Sequence, residues 1–141
     1  LGYWHWFFLV QPYDLPERLL AADPENALFR NGVEAFAPEA LQEYKRCLRD
    51  PETIHAICED YRAAATIDFA HDAEDREAGR RIACPLLALW GSRGNLQEWY
   101  DVPEVWRGWA DDVQGKALDS GHYIPEEAPE ETLSEVRAFF G

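Results

Sequence analysis

Apolar residues in the first half of the chain recur at the spacing of helix faces. In "PEALQEYKRCLRD", Leu41, Tyr44 and Leu48 stand at i, i+3 and i+7, which predicts an amphipathic helix with one buried stripe. The next segment, "DPETIHAICEDYRAAATID", offers Asp50 as N-cap and Pro51 at the first helical position, with a stripe of Ile54, Ile57, Cys58, Tyr61 and Ala65. Shorter helices are predicted around "PERLLAAD" and from Pro24 to Phe29, and "YWHWFFLVQ" can form one turn or several before Pro12. From Pro16 to about Asp72 the chain reads as all helix.

The pattern changes after a charged hinge, "HDAEDREAGRR". Leu86 to Trp90 in "CPLLALWG" form a continuous apolar run opened by Pro85 and closed by Gly91, as expected of a strand buried on both faces. A loop, "SRGNLQEWYD", leads to a helix from Pro103 to Ala110 and a short strand in "GKALDS", together a βαβ unit. The chain turns at "SGHYIPEEAP" and ends on a helix, "EETLSEVRAFF", with Leu133, Val136 and Phe140 on one face. The division falls between a helical domain, 1–72, and an α/β domain, 73–141.

Composition narrows the function classes. With 141 residues and 47% apolar content the chain can build a sizeable core. Its formal charge of −14 repels phosphate backbones and anionic headgroups, which excludes nucleic acid and membrane surfaces as expected partners. Cys47, Cys58 and Cys84 are far apart and match no metal spacing, so they read as buried, reduced thiols of a cytoplasmic protein. No stretch approaches the ~20 apolar residues of a membrane span, and none has the layout of a signal peptide. The sequence contains no methionine, even at position 1, and two parallel strands alone leave open edges. The expectation is the C-terminal part of a larger protein.

His122 is the sharpest local signal. It follows Gly121 just past a predicted strand, so its ring belongs at the carboxyl edge of the sheet, where open α/β folds hold their sites. It reads either as a general base or as an exposed loop histidine. His5 and Trp6 each carry an N–H donor on an apolar body; side by side they can hold a small anion, or simply pack in an aromatic core. Tyr61, on its helix stripe, is a packed tyrosine or a third donor to the same anion. His55 and His71 have no partner at metal spacing.

Nucleophile candidates are weak. "WGSRG" is half of a G-x-S-x-G elbow, with Ser92 read as a loop residue, and Ser120 is a near neighbour of His122 in sequence. Cys58 and Cys84 lie in apolar surroundings, which raise a thiol's pKa. The chain holds a base and no nucleophile.

In order, "YWHWFFLVQP", "CEDYRAAATIDFAHD", "LLALWG" and "ADDVQGKALDSGHYIPEEAPEET" make the chain resemble the fluoroacetate (haloacetate) dehalogenases of the α/β-hydrolase superfamily over nearly its whole length. The resemblance implies a helical cap followed by the last two parallel strands and helices of an α/β-hydrolase core. It implies conversion of a haloacetate to glycolate and halide through an aspartyl ester, which a histidine-activated water then hydrolyses. By likeness His5, Trp6 and Tyr61 are the halide-binding donors and His122 the catalytic base. The nucleophile, the triad acid and the carboxylate-binding arginines would lie upstream of Leu1. Gly94 stands in "WGSRGN" where many α/β-hydrolases carry the acid. The implied partner is a small haloacid, with no metal or organic cofactor, in a homodimer. Two other readings stay open. One is an epoxide hydrolase or other α/β-hydrolase with a similar cap, expected to carry two cap tyrosines; the other is a non-catalytic helical binding module.

Overall fold

A computed structural model describes residues 3–29 and 33–141. The chain divides into two compact units, Leu1–Glu74 and Asp75–Gly141.

In the first unit α1 (Trp4–Leu9), α2 (Leu15–Ala22), α3 (Pro24–Phe29), a 3₁₀ turn (Val33–Ala35), α4 (Pro38–Cys47) and α5 (Pro51–Ala65) follow one another. α5 starts where the sequence predicts: Asp50 accepts the Glu52 N–H at 3.0 Å, satisfying one of the donors that a helix start leaves unpaired, and Pro51 opens the first turn. Its inward residues meet α1 and α2, so that Leu9, Leu20, Ile54 and Cys58 form a buried cluster with Phe8 and Tyr61 packed against it. The α5 stripe ends there, since Ala65 is exposed. On α4 the predicted stripe runs from half-buried Leu41 past a more exposed Tyr44 to buried Leu48.

Residues of the charged "hinge" belong to a helix, α6 (Ile67–Glu77). Alanine, glutamate and arginine favour helix however charged the stretch is. Gly79, at φ 68°, supplies the left-handed residue that stops it, with its N–H donating to the Arg76 carbonyl at 3.2 Å.

The second unit is built on two parallel strands, β1 (Leu86–Gly91) and β2 (Val113–Leu118), in register from Leu86 opposite Val113 to Gly91 opposite Leu118. Between them run α7 (Leu96–Trp99), inside the segment predicted as loop, and α8 (Val102–Arg107), which packs on both strands. Asp101 caps α8 by accepting the Glu104 N–H at 3.0 Å. Arg81 satisfies its far end, donating to the Arg107 and Gly108 carbonyls at 2.7 and 3.1 Å. After β2 come α9 (Ile124–Glu127) and α10 (Pro129–Phe140), both against β1. β1 has one hydrogen-bonded neighbour among the described residues. Its run is therefore half-buried at Leu86, Leu87, Leu89 and Trp90, not enclosed on both faces.

Nor are the cysteines uniformly buried. Cys58 is in the core, Cys47 is half-buried and Cys84, in the turn before β1, is exposed. No helix among the described residues is long and apolar enough to cross a membrane.

Candidate active site

In the first unit the short α1 turns His5, Phe8 and Leu9 towards α5, while Trp4, Trp6 and Phe7 stay more exposed. That geometry gathers the three predicted donors. Tyr61 lies edge-on to both neighbours, with ring centroids 6.2 Å from His5 at 80° and 6.2 Å from Trp6 at 70°. Tyr3 joins them, 5.5 Å from the Trp6 ring and 6.1 Å from His5. Edge-to-face contact is the preferred packing of aromatic rings, so the cluster is cohesive without any ligand. Of the three predicted donors, Tyr61 packs against the buried cluster of Leu9, Leu20, Ile54 and Cys58, His5 is half-buried and Trp6 is 54% exposed. Ring donors beside an apolar cluster can replace part of the water shell of a small anion.

Besides the apolar cluster, α1 and α2 are tied to α5 by Arg62, the residue after Tyr61, which sequence reading did not single out. Its Nε donates to the Gln11 carbonyl at 2.8 Å, just past the end of α1. Its two terminal nitrogens reach the Glu17 carboxylate on α2 at 2.6 and 3.0 Å, and Nη1 also meets Glu59 at 2.6 Å. Hydrogen bonds from this guanidinium hold the Glu17 carboxyl down at about 2, against the opposing push of burial. His55, expected to have no partner at metal spacing, lies with Nδ1 3.3 Å from Glu17. Glu17, His55 and Glu59 present ligand atoms close enough for one cation, but the cation among them is Arg62, which bonds both carboxylates.

In the second unit His122 is exposed on the loop between β2 and α9, at the carboxyl ends of both strands, and its ring meets Tyr123 at 5.3 Å. The loop is stitched to the end of β1: the Ser92 N–H donates to the Leu118 carbonyl at 2.8 Å, and the Arg93 N–H to the Ser120 carbonyl at 3.0 Å. A Cβ at Gly91 would stand 1.8 Å from the Gly121 oxygen, so only glycine allows this approach. Ser92 is a turn residue, as predicted. Ser120 is fully buried, its hydroxyl 3.5 Å from the Gly121 carbonyl. Glu127 on α9 receives the Gly121 N–H at 2.7 Å, the Tyr123 N–H at 3.1 Å and Arg93 at 3.0 Å. The backbone donors come first in holding its carboxyl below the usual carboxylate range. Burial pushes the Cys58 thiol up, away from thiolate chemistry.

No protein-family model matches the chain. It is 39% identical over 145 residues to a fluoroacetate dehalogenase from Burkholderia sp, covering 98% of this chain and 47% of that protein. It is 29% identical over 106 residues to a soluble epoxide hydrolase from Corynebacterium sp. (strain C12), covering 74% of this chain and 35% of the relative. Among solved structures, ALR0039 from Nostoc sp PCC 7120, an alpha/beta hydrolase by assignment, superposes with a TM-score of 0.92 at 50% identity, over 99% of this chain and 49% of its own. The chain thus spans half or less of the length of each of these proteins. A helical unit followed by two parallel strands with their crossover and closing helices, on a chain so similar to these hydrolases, is the C-terminal part of their fold, and the chain belongs to the α/β-hydrolase superfamily.

Proposed function

We propose that this chain supplies the lid and the base-bearing part of a haloacetate dehalogenase, converting a substrate such as fluoroacetate and water to glycolate and halide. The observation that carries the reading is the convergence of His5, Trp6 and Tyr61 in one ring cluster. A carboxylate nucleophile attacks the halogen-bearing carbon, forming a C–O bond as the C–halogen bond breaks and the halide leaves with the electron pair. The N–H groups of His5 and Trp6 and the Tyr61 hydroxyl donate to the departing anion. Fluoride is strongly hydrated, so fixed donors in place of its water shell lower the barrier. His122 then takes a proton from the water that adds to the ester carbonyl; the intermediate collapses by breaking the bond from the acyl carbon to the glycolate oxygen, which leaves with that proton as glycolate while the nucleophile's carboxylate is regenerated. The nucleophile and the acid behind His122 are assigned to none of these 141 residues. The reading needs no metal or organic cofactor, and includes a homodimer in the cytoplasm.

A second reading is epoxide hydrolysis, favoured by one observation: Tyr3 stands beside Trp6 in the same cluster as Tyr61, so two phenols are at hand to protonate an epoxide oxygen. Both readings are tested by one graft, in which residues 1–141 replace the matching half of the Burkholderia fluoroacetate dehalogenase. Fluoride release from fluoroacetate is expected, with little opening of an aryl epoxide. A folded graft that opens the epoxide and releases no halide overturns dehalogenation in favour of the second reading.

A further inference from the structure

We infer that Glu127 is the positioning residue for His122, its carboxylate clamping the main chain on both sides of that residue. The inference rests on the reading of His122 as the base, but not on which substrate the base serves.

Glu127 Oε2 accepts the Gly121 N–H at 2.7 Å and Oε1 the Tyr123 N–H at 3.1 Å, so the residues before and after His122 are tied to one rigid group. The carboxylate is fixed in turn. Arg93 Nη2 donates to Oε2 at 3.0 Å, while Nη1 of the same guanidinium bonds Asp119 at 2.7 Å. The Glu127 side chain is 16% exposed, which shields these charge-assisted bonds from water and makes an unpaired amide there expensive. The fit is close: a Cβ at Gly121 would stand 2.9 Å from Oε1 and 3.1 Å from Oε2. Position 121 therefore admits a side chain only if the carboxylate moves.

The consequence is mechanical. His122 is exposed and its loop has no strand pairing of its own, so the backbone beneath the imidazole would otherwise sample many geometries. A base displaced by ~1 Å can lose on the order of 100-fold in rate. Glu127 removes that freedom while acting through the main chain, leaving the imidazole available for chemistry.

Two measurements decide the matter. In the 141-residue chain, Glu127→Ala is expected to raise amide hydrogen exchange of Gly121 and Tyr123 at least about tenfold, with the β1–β2 amides unchanged. In the graft, the first halide needs no base, whereas ester hydrolysis does. Glu127→Ala should therefore keep a burst of one halide per site and lower steady-state turnover on the order of 100-fold, with KM falling alongside so that kcat/KM stays nearly unchanged. Glu127→Gln, which retains one acceptor oxygen, should fall between. Unchanged exchange at the two amides, or a burst that shrinks in step with turnover, overturns the inference. A parent graft that releases no halide instead defeats the dehalogenase reading, and amide exchange then decides the role of Glu127 alone.

Discussion

Glu17 and Arg62, 45 residues apart in sequence, meet in a two-point ion pair, with nitrogen–oxygen distances of 2.6 and 3.0 Å. Both side chains are largely removed from water, 10% and 14% exposed. Such a pair gains from direct attraction and loses from desolvation, and its net contribution is small, whereas leaving one member alone is costly. Arg62→Ala should therefore destabilise the first unit by about 3 kcal/mol. The double change of Glu17→Leu with Arg62→Met should recover most of that loss. Urea unfolding of the three proteins checks it, and a double variant no better than Arg62→Ala would show that the arginine's bond to the Gln11 carbonyl matters more.

The same pair sets an acid limit. The Glu17 carboxyl is held at about 2 in the folded chain against an ordinary 4.5, so the folded state binds its proton less readily than the unfolded state does. Its stabilising contribution is complete above about pH 4.5 and is lost as pH falls from there towards 2. Thermal melts across this window should show Tm falling steeply in the parent and less steeply in the double variant. Parallel slopes would place the acid sensitivity elsewhere.

Trp6→Phe separates the packing role of the cluster from its donor role. The variant keeps an aromatic ring against Tyr61 and Tyr3 but loses the indole N–H. Since Trp6 is 54% exposed, stability should change by less than about 1 kcal/mol. Removing one donor from a site that stabilises developing charge typically costs on the order of 100-fold in kcat. Fluoride release by the grafted variant, compared with its melting temperature, distinguishes the two. A drop in Tm with unchanged turnover would make the ring cluster purely structural.

Local features of the fold were legible in sequence because their causes are local. Asp50 before Pro51 announces the start of α5, and the 3.6-residue period puts Ile54, Cys58 and Tyr61 on one inward face. Charge misleads in "HDAEDRE", where a polar stretch suggests a hinge although its residues are good helix formers. The Glu17–Arg62 pair spans too many residues for any periodicity to join them. Glu127 was hidden for another reason. It follows Glu126 in the first turn of α9, either could reach back to a preceding N–H, and only the backbone path selects one. Burial of β1 likewise depends on neighbouring strands, which its own composition does not specify.

Gly91 and Gly115 lie on the paired strands, yet alanine should act very differently at each. At Gly91 the new Cβ would meet main-chain oxygens of Gly121 and Ser120 at 1.8 and 2.6 Å, so either β1 or the His122 loop must move. At Gly115 the nearest atom is a Trp90 ring carbon at 3.1 Å, on a side chain able to yield by a few tenths of an ångström. Gly91→Ala should cost about 2–3 kcal/mol of stability and displace the His122 resonance in NMR spectra. Gly115→Ala should stay within about 1 kcal/mol. Equal losses at both sites would mean that strand propensity, not the loop contact, governs them.

The three thiols should react in the order of their surroundings. Cys84 is exposed, Cys47 half-buried and Cys58 at 0% exposure between α1, α2 and α5. Burial also pushes the Cys58 thiol above its ordinary pKa, with the negative charge of Glu17 adding to the effect, so both access and thiolate fraction oppose its reaction. At neutral pH iodoacetamide should modify Cys84 first and Cys58 at least roughly a hundredfold more slowly, because Cys58 becomes available only when the helices open. Peptide mapping by mass spectrometry reads the order directly. Arg62→Ala loosens the attachment of α1 and α2 to α5, so it should accelerate Cys58 while leaving Cys84 unchanged; Cys58 reacting alongside Cys84 in the parent would mean that the helical core is not closed around it.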